Sequence, residues 1–336
     1  MSIIEAIVLG LVQGLTEFIP ISSTAHLEIV PVLLGWGDPG AAASAVIQFG
    51  TWLAAVIYFF KDIVRLAKGL FRRPFSDTDS REAWLVIIGT IPIVILGLVL
   101  KKHIESTFRG LWVVTTMVIV VAILMIAAEG YARRRQLRQF DQLNVTDAVA
   151  IGLGQCLALV PGSSRSGSTI MAALFRGIDR PTAARYSFLL SIPAIGGAGL
   201  LELFHERQHL ATLGWTPILV SIAVAFISGY FSIWFLLRYL RTHTTHIFIY
   251  YRLALGVVMI ALLAGGTCAA SFLAAHRNAA VSAAGQAASS PPHEDAGAGR
   301  LRSSRRGRRR SASTNPTVPE CPPGSGTSRR SPARTR

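Results

Sequence analysis

Gln13-Gly-Leu-Thr-Glu17-Phe-Ile-Pro20-Ile-Ser22-Ser23-Thr24-Ala-His26 interrupts an apolar stretch that runs from Ile3 to Leu27. A bilayer core is spanned by roughly 20 apolar residues. Here a proline and a run of hydroxyls stand in the middle of such a span. Open backbone in hydrocarbon is costly, and is tolerated only inside protein or along a watery cavity. A second apolar stretch, Val149 to Leu174, is broken in the same way at Pro161-Gly-Ser-Ser164-Arg165-Ser166-Gly-Ser-Thr169. Both stretches read as re-entrant helix–loop–helix hairpins whose tips meet inside the protein.

The two hairpins resemble each other. Leu9-Gly-Leu-Val-Gln13-Gly-Leu15 aligns with Ile151-Gly-Leu-Gly-Gln155-Cys-Leu157, and after a one-residue gap Pro20-Ile-Ser-Ser aligns with Pro161-Gly-Ser-Ser. Working outward, six long apolar runs remain: about Ala45–Phe60, Ala83–Leu100, Leu111–Ala128, Tyr186–Leu203, Trp215–Leu237 and Leu253–Ala275. Each half is then one broken hairpin followed by three spans. Three is odd, so the second half enters from the opposite side. The expected fold is an all-α integral membrane protein with an inverted-topology repeat, its halves about 1–130 and 147–275.

Basic loops test the topology, because cytoplasmic loops are enriched in Lys and Arg. Lys61, Arg65, Lys68, Arg72 and Arg73 form one group, and Arg133, Arg134, Arg135 and Arg138 a second. Two spans separate them, so they share a side. Arg176, Arg180 and Arg185 return there if the second hairpin is re-entrant, and Arg238, Arg241 and Arg252 are expected to follow. In this scheme the first hairpin enters from outside and the second from inside. The site then sits near the midplane between the broken elements.

Composition agrees with a membrane body. Of 336 residues, 51% are hydrophobic and only 15% charged, where a soluble domain carries about 25%. The formal net charge of +15 is unevenly placed. Residues 277–336 carry twelve arginines against Glu294, Asp295 and Glu320, so +9 of the total lies in that tail and +6 in residues 1–276. The tail is rich in Ala, Ser, Gly and Pro, and reads as disordered. Its arginine run, Arg305 to Arg310, has no interleaved aromatics of the kind that stack on bases. No nucleic-acid partner is expected, only contact with membrane lipid. Cys156, Cys268 and Cys321 form neither a metal spacing nor a disulfide framework.

Polar groups within a membrane body are functional candidates. Gln13 and Glu17 lie four apart on one helix face. Ser22, Ser23, Thr24 and His26 follow the break. A carboxylate, a hydroxyl and an imidazole suit base, nucleophile and orienting group. Glu17 alternatively holds a hard cation, with Gln13 beside it, or simply pairs with Arg165 to join the halves. Ser22 and Ser23 alternatively cap the helix after the break, and His26 alternatively lies at the membrane interface. In the second break, Arg165 supplies a forked cation for phosphate, and Ser164 and Ser166 crowd a helix N-terminus that favours anions. The competing reading there is a small-residue helix seam, which leaves an intramembrane arginine unexplained.

The segments Gln13–His26 and Pro161–Thr169 resemble the two signature motifs of the bacterial undecaprenyl-diphosphate phosphatase family, the BacA/UppP or bacitracin-resistance type. Val46-Ile-Gln-Phe-Gly50 and Tyr186-Ser-Phe-Leu-Leu190 extend the likeness over roughly residues 1–275. The resemblance implies a multi-pass inner-membrane enzyme whose site faces the periplasm. It implies hydrolysis of undecaprenyl diphosphate to the monophosphate carrier lipid of peptidoglycan synthesis. It further implies a divalent cation, Mg²⁺ or Ca²⁺, near Glu17 and Gln13, and is compatible with a homodimer. By motif position, Glu17 is the essential carboxylate, Ser23 the nucleophile and His26 its catalytic neighbour. Arg165, Ser164 and Ser166 bind the diphosphate, with Ser22 and Thr24 beside them. Two positions depart from the pattern: Gln13 stands where a second carboxylate is common, and Ala25 where glycine is common. The rival readings are an inverted-repeat transporter or lipid flippase, and a PAP2-type phosphatase. The latter requires histidine at position 171, which is Met171.

Overall fold

The computed structural model describes residues 1–36, 40–72, 77–106, 110–205 and 214–265. The whole tail from Arg277, and residues 266–275 of the last expected span, lie outside the described residues. Among the described residues all regular structure is helical, apart from one isolated bridge between Arg138 and Ile178.

The chain opens with α1 (Ile3–Phe18) and α2 (Ser23–Leu33), followed by α3 (Gly40–Tyr58), α4 (Phe60–Arg72), α5 (Thr78–Ser106) and α6 (Leu111–Ala132). Then come α7 (Val145–Cys156), α8 (Arg165–Phe175), α9 (Arg180–His205), α10 (Trp215–Tyr239) and α11 (His246–Ala264). Five of these, α5, α6, α9, α10 and α11, are long and apolar enough to cross a membrane. The number rises to six if α3 and α4, bent by 68° at their junction, count as one. The protein is a multi-pass membrane protein. Two expected spans need correction. The first ends in a bend before Phe60, and beyond it α4 carries Lys61, Arg65, Lys68 and Arg72, which were expected in a loop, while Arg73 lies outside the described residues. The last begins at His246, not Leu253, because His246-Ile-Phe-Ile-Tyr-Tyr251 is apolar enough to continue the helix.

The breaks form where expected. Proline has no amide hydrogen to donate and clashes within a helix, so α1 stops ahead of Pro20. Each chain then restarts on a serine with a left-handed backbone: Ser22 at φ 76° and Ser164 at φ 65°. Their hydroxyls accept from the Ala25 amide at 3.4 Å and the Gly167 amide at 3.2 Å. These are the only non-glycine residues with positive φ among the described residues. Such a conformation costs of order 1–3 kcal/mol and persists only where surrounding structure holds it. The geometry corrects the gapped alignment: Ser22 matches Ser164, not Ser163, at the same offset that relates Leu9 to Ile151.

Packing crosses between the two parts of the chain. Helix α1 lies along α10 and α7 along α5, while α3 meets α9 and α6 meets α11. Glycine permits both of the close approaches. A Cβ on Gly10 would stand 2.8 Å from the Ser221 carbonyl of α10, and one on Gly152 3.0 Å from the Gly89 carbonyl carbon of α5.

Charged ties gather the basic segments at one end. Arg138 grips Asp147 with both guanidinium nitrogens, at 2.8 and 2.9 Å, and Arg176 adds a third bond at 2.8 Å. The start of α7 and the end of α8 are thus fastened to one buried carboxylate. That partnership holds the Arg138 guanidinium above its ordinary pKa. Glu129 is fully buried and accepts from Arg180 and, at 2.8 Å, from both the amide and hydroxyl of Thr245. Arg185 bonds Asp62 at 2.6 Å. Arg252 is the exception among the basic residues assigned to this side.

Candidate active site

The two breaks meet, and the residues named from them converge on Glu17. Its carboxylate accepts from Gln13 Nε2 at 2.9 Å and from Ser23 Oγ at 2.7 Å, both on Oε2. Arg165 Nη2 donates to the other oxygen, Oε1. One carboxylate therefore joins α1, the start of α2 and the start of α8. The Glu17–Arg165 pair, foreseen as an alternative to a reactive carboxylate, is present. It does not displace the reactive geometry, because Ser23 keeps its own bond to Oε2.

Packing places the carboxylate. Phe18 meets Phe188 edge to face at 5.3 Å, and its neighbour Ser187 bonds Thr169 on α8 at 2.5 Å. Tyr186 donates to the Leu85 carbonyl at 2.6 Å. The Tyr186–Leu190 segment is thus a packing device behind the site. Ser166 donates toward the carbonyls of Glu17 and Ile19 at 3.5 and 3.4 Å, and lies 3.2 Å from Ser164. It ties the two breaks rather than facing outward. Ser22 and Ser164 serve as caps. Thr24 is exposed on the first turn of α2, with no hydrogen bond from its hydroxyl among the described residues.

His26 is buried within the protein. Its Nδ1 lies 2.7 Å from the Ser22 carbonyl oxygen and its Nε2 2.6 Å from the Tyr251 hydroxyl. Neither nitrogen contacts Ser23, so Glu17 is the group positioned to take the serine proton.

Two residues of α11 were missed. Arg252 was expected in a cytoplasmic loop, yet it is fully buried within the helix. Its guanidinium reaches Pro20 O of the first break at 3.5 Å, and Gly162 O and Ser163 O of the second at 3.1 and 3.2 Å. Bonds to Met117 O and Val118 O, at 3.3 and 3.2 Å, complete its shell. The available signal was an arginine flanked by apolar residues on both sides, a functional mark in a membrane span. Tyr251 carried no such signal. Arg252 makes no ion pair among the described residues, whereas Arg165 is offset by Glu17. The cluster thus keeps one uncompensated positive charge, which suits an anionic substrate.

Among the described residues, the side chains that bond Glu17 leave two buried atoms without a partner: Gln13 Oε1 and Arg165 Nη1. An oxygen acceptor beside a carboxylate fits a hard divalent cation, and a free guanidinium N–H fits a phosphate oxygen. Among the described residues no group of three or more His, Cys, Asp or Glu side chains converges.

Comparison with known proteins gives the family. Residues 6–258 match the family model described as bacitracin resistance protein BacA. An undecaprenyl-diphosphatase of Chlorobaculum tepidum is 49% identical over 278 residues, covering 79% of this chain and 99% of that protein. One from Myxococcus xanthus is 51% identical over 271 residues, covering 79% and 91%. The match spans both breaks, Glu17, Arg165 and Arg252, and the chain belongs to the BacA bacitracin resistance family.

Proposed function

We propose that this protein hydrolyses undecaprenyl diphosphate to undecaprenyl phosphate and inorganic phosphate, recycling the carrier lipid of the cell wall and so conferring bacitracin resistance. The observation that carries the chemistry is the Ser23–Glu17–Arg165 chain of bonds. Ser23 Oγ attacks the terminal phosphorus as Glu17 Oε2 takes its proton. The P–O bond to the bridging oxygen breaks and undecaprenyl phosphate leaves. Water then hydrolyses the phosphoserine, and Glu17 returns the proton. Arg165 Nη1 donates to a phosphate oxygen while Nη2 keeps Glu17 in place. The α8 N-terminus and the Arg252 charge favour the anion where charge builds up.

Gln13 Oε1 and Glu17 would hold a divalent cation, Mg²⁺ or Ca²⁺. When bound, that ion supplies neutralisation of phosphate charge.

The same reading includes an inverted repeat with re-entrant hairpins. The matched serine caps, the paired glycines Gly10 and Gly152, the paired buried glutamines Gln13 and Gln155, and the crossed packing of α1 on α10 and α7 on α5 support it. The basic end lies in the cytoplasm of the inner membrane, and the site opens to the periplasm. The test is phosphate release from undecaprenyl diphosphate by purified protein, with and without chelator, alongside Glu17→Ala. Metal-dependent release lost in the variant is expected. A pure lipid carrier would release none.

A further inference from the structure

We infer that Tyr251 is a positioning residue for the nucleophile, acting through His26; the inference rests on the phosphatase reading above. The Ser22 carbonyl can only accept, so His26 Nδ1 carries the hydrogen of their 2.7 Å bond. The same carbonyl accepts the His26 backbone amide at 3.4 Å. In the neutral ring Nε2 is then a lone pair, and the Tyr251 hydroxyl donates to it at 2.6 Å. The two rings lie nearly parallel, 8° apart with centroids at 5.6 Å.

Consider what this chain of contacts holds. Ser22 is one of two non-glycine residues with a left-handed backbone among the described residues. Its carbonyl leads directly into Ser23, whose hydroxyl must stay 2.7 Å from Glu17. His26 clamps that carbonyl only while its hydrogen sits on Nδ1. Tyr251 reinforces the tautomer that the Ser22 carbonyl requires by donating to Nε2. Nothing on α1 or α2 does this: the hydroxyl comes from α11, beside Arg252, which holds the Pro20 carbonyl of the same break. Successive residues of one helix thus fix the two sides of the nucleophile turn.

The experiment uses the full chain in detergent, with ¹⁵N-labelled histidine and the His26 signals assigned by their loss in His26→Gln. The wild type should show His26 as the Nδ1–H tautomer, and Tyr251→Phe should move it toward Nε2–H. Turnover of undecaprenyl diphosphate by Tyr251→Phe should fall by about ten- to a hundredfold, the scale of a misplaced reacting group, with KM little changed. Tyr250→Phe, one residue away and exposed, should retain both properties. An Nε2–H tautomer in the wild type overturns the inference, and so does a turnover loss in Tyr251→Phe with the tautomer kept. Unchanged turnover with the tautomer altered also overturns it. If Tyr251→Phe does not fold, the wild-type tautomer decides. If the wild type releases no phosphate, the phosphatase reading fails, and the tautomer shift alone then decides whether Tyr251 holds His26.

Discussion

The breaks at Pro20–Ser23 and Gly162–Arg165 share a backbone and differ in chemistry. Both turn on a left-handed serine that caps the next helix, and both give a carbonyl to Arg252. The residue after the cap is Ser23 in one and Arg165 in the other. Only the first break is preceded by a carboxylate, Glu17. What the breaks share builds a polar meeting point within the membrane body. In the proposed mechanism, what they do not share divides the work: a nucleophile and its base on one side, an anion holder on the other.

This division can be broken in graded steps. The largest effect belongs to the unshared carboxylate. Glu17→Gln keeps the shape but removes the base, and turnover should fall at least about 10³-fold. Losing a buried ion partner also destabilises by roughly 3–5 kcal/mol, so thermal unfolding in detergent should be recorded beside phosphate release. Next is the unshared cation. Arg165→Lys keeps the charge but not the fork that grips Glu17 and phosphate together, so kcat/KM should drop about 10²-fold.

The shared features predict effects on stability and matched ones. Gly10→Ala and Gly152→Ala each push a methyl group against a neighbouring backbone, and each should lower stability by about 1–3 kcal/mol. A loss at only one would show that the two crossed packings are not equivalent. Smallest are the caps. Ser22→Gly and Ser164→Gly trade a cap bond for relief of a left-handed backbone, and each should change stability by no more than about 1 kcal/mol. Calorimetry of the two variants side by side measures the match.

Much of this was legible in the sequence because membranes punish open backbone. Pro20 and Pro161 inside apolar stretches had to mark buried breaks, and Glu17 and Arg165 could only be tolerated there if paired or used. The ends of helices were harder. Arg252 was assigned to a loop because a charge is ordinarily taken to end a span, yet carbonyls freed by the two breaks satisfy it. That compensation exists only in three dimensions. The gap placed before Pro20-Ile-Ser-Ser came from aligning prolines, whereas the geometry that the two breaks share is the serine cap. Tyr251 had no local mark at all, since its partner His26 is 225 residues distant. The buried carboxylates Glu129 and Asp147 were likewise silent, because their arginines arrive from other segments.

The most direct test is the fate of phosphate on Ser23. Undecaprenyl diphosphate labelled in its terminal phosphate, mixed with enzyme and quenched in acid, should leave an acid-stable label on Ser23. Ser23→Ala should carry none and should turn over at least about 10²-fold more slowly. Wild-type turnover by Ser23→Ala, with no label on either protein, would contradict the account and make water the attacking group.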